Sequence, residues 1–238
     1  EDTMKTIKEC YRIRILALLM CMALPFNAFA CKDAVVLVHG NTATPTSWDN
    51  TYDHLLANGY STNDIYRPNW GSKSCAACNN HSGSEETPVR QAIQSALTSS
   101  CTGKIDVIGH SMGATLAAQQ IDKLAVANQV DTFVGIAGAF LGLKSCGYYP
   151  FNVWSSTCGS AGLSVGSPFL DSIYNVPLAS KVYSIKSYID QIVCSTGGCT
   201  VGGVHSSRIV NEDATFNYAL GHFGLQSDTA VKQYELIQ

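Results

Sequence analysis

The chain has 238 residues, of which 46% are hydrophobic and 14% charged, and its formal net charge at pH 7 is −3. This mild acidity provides no basic surface for nucleic acid or anionic membrane, so we expect neither as a partner. No internal repeat, low-complexity tract or linker divides the sequence. We therefore expect one compact domain with a sizeable core.

Residues 1–30 are typical of a secretory signal peptide. Four basic residues lead into an apolar run from Ile15 to Leu24, and a small-x-small site ends at Ala30. Ten apolar residues are too few for a bilayer core, which takes roughly 20, so we expect cleavage after Ala30 rather than a membrane anchor. Ala28 occupies a position where lipoprotein signals usually carry Leu, which argues against lipidation of Cys31. The residues before Met4 are unexplained, and translation starting at Met4 accounts for them.

The predicted mature domain, residues 31–238, is therefore expected outside the cytoplasm, either extracellular or periplasmic. Eight of the ten cysteines lie in it, and an even number in an exported chain predicts disulfides. Cys31 and Cys101 each lie just before a predicted core strand, and they would meet if those two strands are neighbours. The other six cysteines would pair within short loops. The expected pairs are Cys31–Cys101, Cys75–Cys78, Cys146–Cys158 and Cys194–Cys199. Zinc bound by Cys75, Cys78 and His81 is the alternative, although a fourth ligand is not evident.

The domain begins with Ala34–Val38, a continuous apolar run that predicts a strand buried on both faces of a parallel sheet. A helix follows, with Trp48, Tyr52, Leu55 and Leu56 on one face. Further predicted elements are a strand at 64–66, a polar loop at 68–86, and a helix with Thr87 as its N-cap and Pro88 as its first residue.

The pentapeptide Gly109-His110-Ser111-Met112-Gly113 stands between a predicted strand, Ile105–Ile108, and a helix-forming run, 114–121. This context indicates a sharp turn that lifts a nucleophilic serine, Ser111, clear of the sheet. Gly109 and Gly113 lack the Cβ atoms that would collide in so tight a bend. The following helix would direct its positive end at an oxyanion forming on Ser111.

Strands are also expected at 131–136, 181–186 and 206–210, and a closing helix at 228–236. The alternation of strands and helices predicts a doubly wound, mostly parallel sheet with helices on both faces. The stretch from Gly138 to about Asn175 has no clear period and is rich in aromatic residues. It forms either a pocket wall or lid, or a plain hydrophobic loop fastened by Cys146–Cys158.

A nucleophilic serine needs a histidine base, and the base needs an orienting acid, in the chain order serine, acid, histidine. His222 follows the last predicted strand in a Gly-flanked loop, so we expect it to be the base. Asp190 follows the preceding strand and is the expected acid. Asp213 is the second choice, and Asp171 is expected at the surface or as a helix cap.

The loop after the first strand supplies an oxyanion donor in hydrolases with such a serine turn. We therefore assign the oxyanion hole to the backbone N–H groups of Asn41 and Met112. His39, at the end of the strand, is expected to support this loop.

At these residues the sequence resembles the bacterial class 2 lipases of the α/β-hydrolase fold, and more closely the extracellular polyhydroxyalkanoate depolymerases. The likeness runs in order through most of residues 34–225. It is carried by His39-Gly40-Asn41, His110-Ser111-Met112-Gly113, Ile136-Ala137-Gly138, Gly142-Leu143-Lys144-Ser145-Cys146, Thr157-Cys158-Gly159-Ser160, Asp190-Gln191 and Gly221-His222-Phe223. The segment between Cys158 and the Asp190 strand looks shorter than in those depolymerases, which puts a polymer-docking surface in doubt.

The resemblance implies a serine ester hydrolase with Ser111 as nucleophile, Asp190 as acid and His222 as base. Its expected substrate is a small-molecule or lipid ester, and contact with a lipid interface is left open. The chemistry requires no metal and no organic cofactor. A polyester depolymerase, a peptidase or acyltransferase, and a non-catalytic binding protein on a hydrolase scaffold are the alternatives.

Overall fold

The computed structural model describes residues 31–238, so the predicted signal peptide lies outside the described residues. A six-stranded, wholly parallel sheet forms the centre of this part of the chain. Its strands are β1 (Ala34–Val38), β2 (Ile65–Tyr66), β3 (Ile105–His110), β4 (Val130–Ile136), β7 (Lys181–Lys186) and β10 (Ala214–Asn217), in the order β10-β7-β4-β3-β1-β2. Two small sheets lie outside it, formed by β5 (Leu143–Tyr148) with β6 (Ser164–Val165) and by β8 (Thr200–Val201) with β9 (Val204–His205).

Within residues 31–238, six α-helices cover the two faces of the sheet, which confirms the predicted doubly wound arrangement. They are α1 (Asp49–Ala57), α2 (Glu86–Ser99), α3 (Met112–Leu124), α4 (Pro168–Ile173), α5 (His222–Ser227) and α6 (Ala230–Leu236). Alternate residues of β1 point into two separate cores. Val36 packs with residues of α2, α3 and α4, whereas Val35 packs with residues of α1, α5 and α6. The continuous apolar run of β1 therefore serves both cores.

The order of the strands reverses beside β1, since β2 lies on one side of it and β3 on the other. In open α/β sheets, ligands bind beyond the carboxyl ends of the strands at such a reversal. His39 follows β1 and Ser111 follows β3. The topology thus places the predicted nucleophile and the predicted oxyanion loop at the same point of the sheet.

The last strand of the sheet was predicted wrongly. We expected 206–210, but the strand is β10, which begins at Ala214. Ile209 instead packs from a loop against β4, where a Cβ on Gly135 would lie 3.0 Å from Ile209 Cδ1. The Glu212 carboxylate accepts a hydrogen bond of 2.9 Å from the Ile209 N–H. This local bond occupies the Ile209 N–H, which a strand at 206–210 would need for pairing with a neighbouring strand.

Three helix starts also differ from the prediction. His222 is the first residue of α5 rather than part of a loop, and the closing helix begins at Ala230 rather than at 228. Helix α2 begins at Glu86, one residue before the expected cap. The Glu86 carboxylate pairs with Arg90 at 2.6 Å and with Lys123 at 2.7 Å. An anion in the first turn also suits the positive end of a helix, which favours the earlier start.

All four expected disulfides are present, namely Cys31–Cys101, Cys75–Cys78, Cys146–Cys158 and Cys194–Cys199. The zinc alternative is wrong, because the Cys75 and Cys78 sulfurs are bonded to each other. The His81 ring is buried and lies near Thr115 Oγ1 and the Ala161 carbonyl oxygen, at 2.8 and 3.0 Å. His81 therefore links the polar loop to the helix that follows Ser111.

The segment from 138 to 175 divides into a buried part and an exposed part. Leu163, Phe169 and Leu170 are buried in one core. The aromatic side chains of Phe151 and Trp154, in the loop that Cys146–Cys158 closes, are 91% and 101% exposed. The segment is thus held by its buried side chains and by the disulfide, and it exposes aromatic side chains at the surface. No helix within residues 31–238 is long and apolar enough to span a bilayer.

Candidate active site

The turn at Ser111 has the strained geometry expected of an exposed nucleophile. Ser111 has φ 53° and ψ −132°, a conformation that residues with a Cβ rarely adopt. A Cβ on Gly109 would lie 2.4 Å from Ala114 Cα, and one on Gly113 would lie 2.1 Å from the His39 carbonyl oxygen. Both contacts are impossible, so the turn requires glycine at both positions. The Ser111 N–H donates to the Ile136 carbonyl at 2.8 Å, which fastens the turn to β4.

Asp190 and His222 form a buried pair. The ring Nδ1 of His222 and Oδ2 of Asp190 are 2.8 Å apart, and both side chains are almost wholly inaccessible to solvent. Asp190 Oδ1 also accepts hydrogen bonds from the N–H groups of Ile192 and Val193, at 2.8 and 2.9 Å. Burial alone would raise the pKa of Asp190, but its bond to His222 and these two N–H donors hold that pKa below its usual value. Asp190 is therefore an anion that fixes the orientation of the imidazole.

His222 reaches the turn of Ser111 by way of His110. The two imidazole rings are 4.7 Å apart between centroids, and Nε2 of His110 donates to the His222 carbonyl oxygen at 3.0 Å. The described hydrogen bonds include none between the Ser111 hydroxyl and His222. Such bonds are often loose in a hydrolase without substrate. The structure thus brings His222 beside the residue that precedes the predicted nucleophile.

His110 has a supporting position that sequence reasoning did not assign to it. Because its Nε2 donates to a carbonyl, its Nδ1 is the unprotonated nitrogen of a neutral ring. Burial, reinforced by the nearby His222, lowers the pKa of His110 to about 3. A neutral His110 adds no positive charge next to His222. The position of His110 directly before Ser111 was the signal available in the sequence. A side chain at that position of the turn lies close to the residue that faces the serine.

The loop after β1 packs directly on the serine turn. A Cβ on Gly40 would lie 3.0 Å from Ser111 Cβ, so the Asn41 backbone follows within one residue of the nucleophile. The Ala43 N–H donates to the Gly40 carbonyl at 3.2 Å and closes this loop as a turn. Met112 is the first residue of α3, where backbone N–H groups have no partner within the helix.

His39 holds the base of this loop. Its Nδ1 lies 2.8 Å from the Gly40 carbonyl oxygen, and its Nε2 lies near the Trp70 N–H and Lys73 Nζ at 3.3 and 3.2 Å. Burial lowers the pKa of His39 to about 4, so the ring is neutral, with Nδ1 donating and Nε2 accepting. The His39 ring stacks on Trp70 at 5.3 Å between centroids. His39 thus braces the loop and has no nitrogen left for another contact.

Asn79 is a second residue that the sequence did not identify. It is buried, and its Nδ2 donates to the Asn41 side-chain oxygen at 2.6 Å and to the Ser72 carbonyl at 2.9 Å. Its own side-chain oxygen accepts from the Ser72 N–H at 2.7 Å. The Asn41 Nδ2 donates in turn to the Ala76 carbonyl at 2.9 Å. The polar loop at 68–86 is therefore a buttress for Asn41.

Two further residues make hydrogen bonds in this region, Gln191 to the His222 backbone and His205 to Ser187, which lies near Asp190 in the chain. The Gln191 side-chain oxygen accepts from the His222 N–H at 2.9 Å. The buried His205 has its Nε2 3.0 Å from the Ser187 carbonyl oxygen, and it accepts from the Ser207 N–H at 3.1 Å. Asp213, the second choice for the acid, lies at the other end of β7, where it accepts from the Val182 N–H at 2.7 Å. It is therefore far from the Asp190 end of that strand.

One possible metal-ligand group lies close to the site, but its chemistry does not fit. Cys194, Cys199 and His205 converge. The two sulfurs are bonded to each other, and both ring nitrogens of His205 are occupied by the contacts just described. A second group, of three carboxylates, lies at the opposite end of the sheet.

Exposed apolar side chains lie next to Asp190 and His222 in the sequence. Ile189 and Ile192 flank Asp190 in the chain, Phe223 follows His222, and these side chains are 63%, 39% and 63% exposed. Tyr188 is also exposed. Such exposed apolar side chains can make favourable contacts with a neutral apolar molecule.

Comparisons with known proteins identify the family and the fold of the chain. The family model described as lipase (class 2) matches residues 32–235. A search of curated proteins gives no significant match. Among solved structures, a lipolytic enzyme described with the metagenome-derived LipS and LipT is 13% identical with a TM-score of 0.59, over 85% of this chain and 92% of that one.

Two other solved structures have the same fold. The mature form of the Bacillus licheniformis lipase BlEst2 is 12% identical with a TM-score of 0.57, over 87% of this chain and 91% of that one. Tomato methylketone synthase I is 11% identical with a TM-score of 0.54, over 87% of this chain and 99% of that one. Identities this low establish the α/β-hydrolase fold alone. The family model covers nearly the whole described domain, and the chain therefore belongs to the class 2 lipase family.

Proposed function

We propose that this protein is a secreted carboxylic ester hydrolase that works through an acyl-enzyme on Ser111. The observation that carries the proposal is the buried Asp190–His222 pair, joined at 2.8 Å and held against His110 of the serine turn. Membership of the class 2 lipase family supports the reaction type. A non-catalytic binding protein with a hydrolase fold would not require an ionised carboxylate in contact with a buried imidazole beside the strained serine.

The proposed reaction depends on which atoms of the site carry a proton. With Nδ1–H of His222 donated to Asp190, the free Nε2 takes the proton of Ser111 as its oxygen attacks the ester carbonyl. The N–H groups of Asn41 and Met112 stabilise the tetrahedral oxyanion. His222 then returns the proton to the departing alcohol. Water, activated in the same way, releases the acid and restores Ser111.

The substrate we favour is an ester that is poorly soluble in water. The exposed Phe151 and Trp154 belong to a stretch, 145–170, that contains no charged residue. The loop that carries them reaches the buttress of Asn41, since the N–H groups of Ser156 and Thr157 donate to the Ala77 carbonyl at 3.0 and 3.3 Å. This apolar, uncharged edge next to the site favours lipid aggregates, and polyester particles are the second candidate.

Secretion is part of the proposal. Four disulfides within one domain are typical of proteins that mature outside the cytoplasm. The Cys31 sulfur is bonded to Cys101, so it is not free to carry a lipid. This supports cleavage after Ala30 without lipidation.

Labelling by a fluorophosphonate probe tests the nucleophile. We expect the wild-type protein to be labelled at Ser111 and to hydrolyse p-nitrophenyl esters. Ser111→Ala should lose both properties while its circular dichroism is unchanged, with a loss of kcat of about 10⁶-fold. Ser84→Ala, at an exposed serine, is the matched control. Activity retained in Ser111→Ala would refute the assignment.

The substrate class is tested by a series of p-nitrophenyl esters of increasing acyl length, a triglyceride emulsion and polyhydroxyalkanoate particles. We expect turnover of the emulsion. Amide and thioester analogues of one acyl group separate an esterase from a peptidase or an acyltransferase. Preferential cleavage of the amide would overturn the ester hydrolase proposal.

A further inference from the structure

Three acidic side chains meet at the end of the sheet opposite Ser111. Asp33 precedes β1, Asp106 is the second residue of β3, and Asp131 is the second residue of β4. These three strands are parallel neighbours, so their amino ends lie side by side. One carboxylate oxygen from each residue lies within 4.8 Å of the other two.

Asp106 is the buried member of this group. Its side chain is 1% exposed, and its Oδ1 accepts from the Thr132 N–H at 3.1 Å. Its Oδ2 is buried and has no hydrogen-bond partner among residues 31–238. The hydroxyl of Thr132, which stands opposite Asp106 in the strand register, is likewise buried without a partner in this part of the chain. Native proteins rarely leave such groups unpaired, because their lost hydration is not compensated.

The neighbouring cations do not satisfy Asp106. Lys104 and Lys181 lie 3.9 and 3.5 Å from the carboxylate of Asp131, and both lysine side chains are more than 40% exposed. Such solvent-screened pairs are weak. The hydroxyl of Thr102 donates to the carboxylate of Asp33 at 2.5 Å. Burial and then the charges of Asp33 and Asp131 raise the pKa of Asp106 to about 8.

We propose that Asp33, Asp106 and Asp131 bind a calcium ion, with the Thr132 hydroxyl as a further oxygen ligand. Carboxylate and hydroxyl oxygens are the donors that hard cations prefer. Ca²⁺ accepts many oxygen ligands in a flexible arrangement, whereas Mg²⁺ requires a nearly ideal octahedron and gives up its water reluctantly. Three carboxylates carried by separate strands therefore suit calcium better than magnesium.

The position of this site indicates a role in stability rather than in the reaction. A cation there would tie together the amino ends of three adjacent central strands, whereas Ser111 and Asn41 follow the carboxyl ends of two of them. Asp33 and Asp131 are half-buried, which leaves an entrance for the ion and for water ligands. Three carboxylates in a partly open site suggest a dissociation constant of about 0.1–1 mM, which suits extracellular calcium.

Thermal unfolding of the chelator-treated full chain tests the proposal. At about 5 mM CaCl₂ we expect Tm to rise by about 3–6 °C, with a smaller rise in MgCl₂ and none in KCl of equal ionic strength. Asp106→Asn should lose the calcium-dependent rise. Without calcium this variant should melt close to the wild-type temperature, because a pKa of about 8 leaves the Asp106 side chain largely uncharged at neutral pH, as an amide is. Asp53→Asn, at an exposed aspartate of α1, should keep the full rise.

Calorimetric titration with CaCl₂ provides a second measurement that does not depend on the folding of Asp106→Asn. Asp33→Asn and Asp131→Asn, at the half-buried rim, should each weaken calcium binding by tenfold or more. A wild-type Tm unaffected by calcium, or a calcium effect that persists in the aspartate variants, would overturn the proposal. Ester turnover is not a readout here, so the result is independent of the proposed reaction.

Discussion

Gly40 lies directly against Ser111, so that a Cβ on residue 40 would come 3.0 Å from the Ser111 Cβ and equally close to Nδ1 of His110. Neither neighbour can move freely, because the Ser111 N–H is bonded to β4 and the His110 ring is buried. The loop bearing Asn41 would have to yield instead. The distance between Ser111 and the Asn41 backbone, the proposed nucleophile and oxyanion donor, therefore depends on the absence of a side chain at position 40.

Gly40→Ala should lower kcat by about 10- to 100-fold with a small change in KM, because a displaced oxyanion donor acts mainly on the transition state. The measurement is steady-state hydrolysis of a soluble p-nitrophenyl ester. Gly198→Ala is the matched control, since its Cβ would make only an ordinary 3.6 Å contact with Lys144 Nζ. Equal activities of the two variants would contradict the proposed packing.

Asp190→Asn should reduce kcat by about 10⁴-fold, because an amide cannot hold His222 in the required tautomer or balance its charge. Asp213→Asn should stay within about twofold of wild type, since Asp213 bonds only near the start of β7. The pair of variants thus separates the two candidate acids in one assay. The reverse ranking would transfer the role to Asp213.

Asn79→Ala should lower kcat by about tenfold and the free energy of unfolding by about 1–3 kcal/mol, because it leaves the half-buried groups of Ser72 and Asn41 without their hydrogen-bond partner. Urea unfolding and ester hydrolysis measure the two effects. Asn63→Ala, at an exposed asparagine, provides the control. A stability loss with unchanged kcat would show that the buttress does not act on Asn41.

The buried histidines predict acid lability. Burial lowers the pKa of His39 to about 4 and those of His81 and His110 to about 3, from 6.5. Between pH 6.5 and about 4 the unfolded chain binds protons that the folded chain does not, so the free energy of unfolding falls as the pH falls. Above pH 6.5 these groups have no effect. Each contributes about 1.4 kcal/mol per pH unit within the window.

Urea unfolding at several pH values between 7.5 and 4.5 measures this slope. His81→Gln should reduce it by about one proton, even where the variant is less stable at every pH. A free energy of unfolding that is constant from pH 6.5 to 4.5 would contradict the burial of these rings in neutral form.

Phe151→Ser combined with Trp154→Ser should lower turnover of a triglyceride emulsion by about tenfold or more, because two aromatic side chains no longer bury apolar area on the substrate phase. Turnover of a dissolved short-chain ester should stay within about twofold. Val231→Ser, at an exposed apolar residue of α6, is the control. An equal loss on both substrates would point to altered structure rather than to surface contact.

The strands of the central sheet could be predicted where their residues are apolar because both faces of the strand are buried. The run Ala34–Val38 is apolar throughout because it lies between two cores. Strand β10 could not be found in this way, because it is a half-exposed edge strand defined by its pairing with β7. The apolar Ile209 gave a false signal, since it enters the core from a loop. A six-residue helix such as α5 is too short to show a period.

The residues that we proposed as reacting groups could be named from the sequence, whereas the residues that support them could not. Ser111 stands in a motif whose glycines are required by backbone contact, and the chain order of acid and base follows from the order of the strands. Asn79 reaches Asn41, and Gln191 reaches His222, through one hydrogen bond each between residues more than 30 positions apart. Such partnerships have no local pattern, so only the folded chain reveals them.

Helix α5, which begins at His222, is held in place by the C-terminal helix α6. Gln233 of α6 accepts a buried hydrogen bond of 2.7 Å from the hydroxyl of Thr51 in α1, and its amide donates to the Gln226 carbonyl of α5 at 2.8 Å. The support of the helix that begins at His222 is therefore synthesised long after the serine turn. A chain halted before α6 would lack both hydrogen bonds of Gln233, so we expect α5 to be less firmly placed in it.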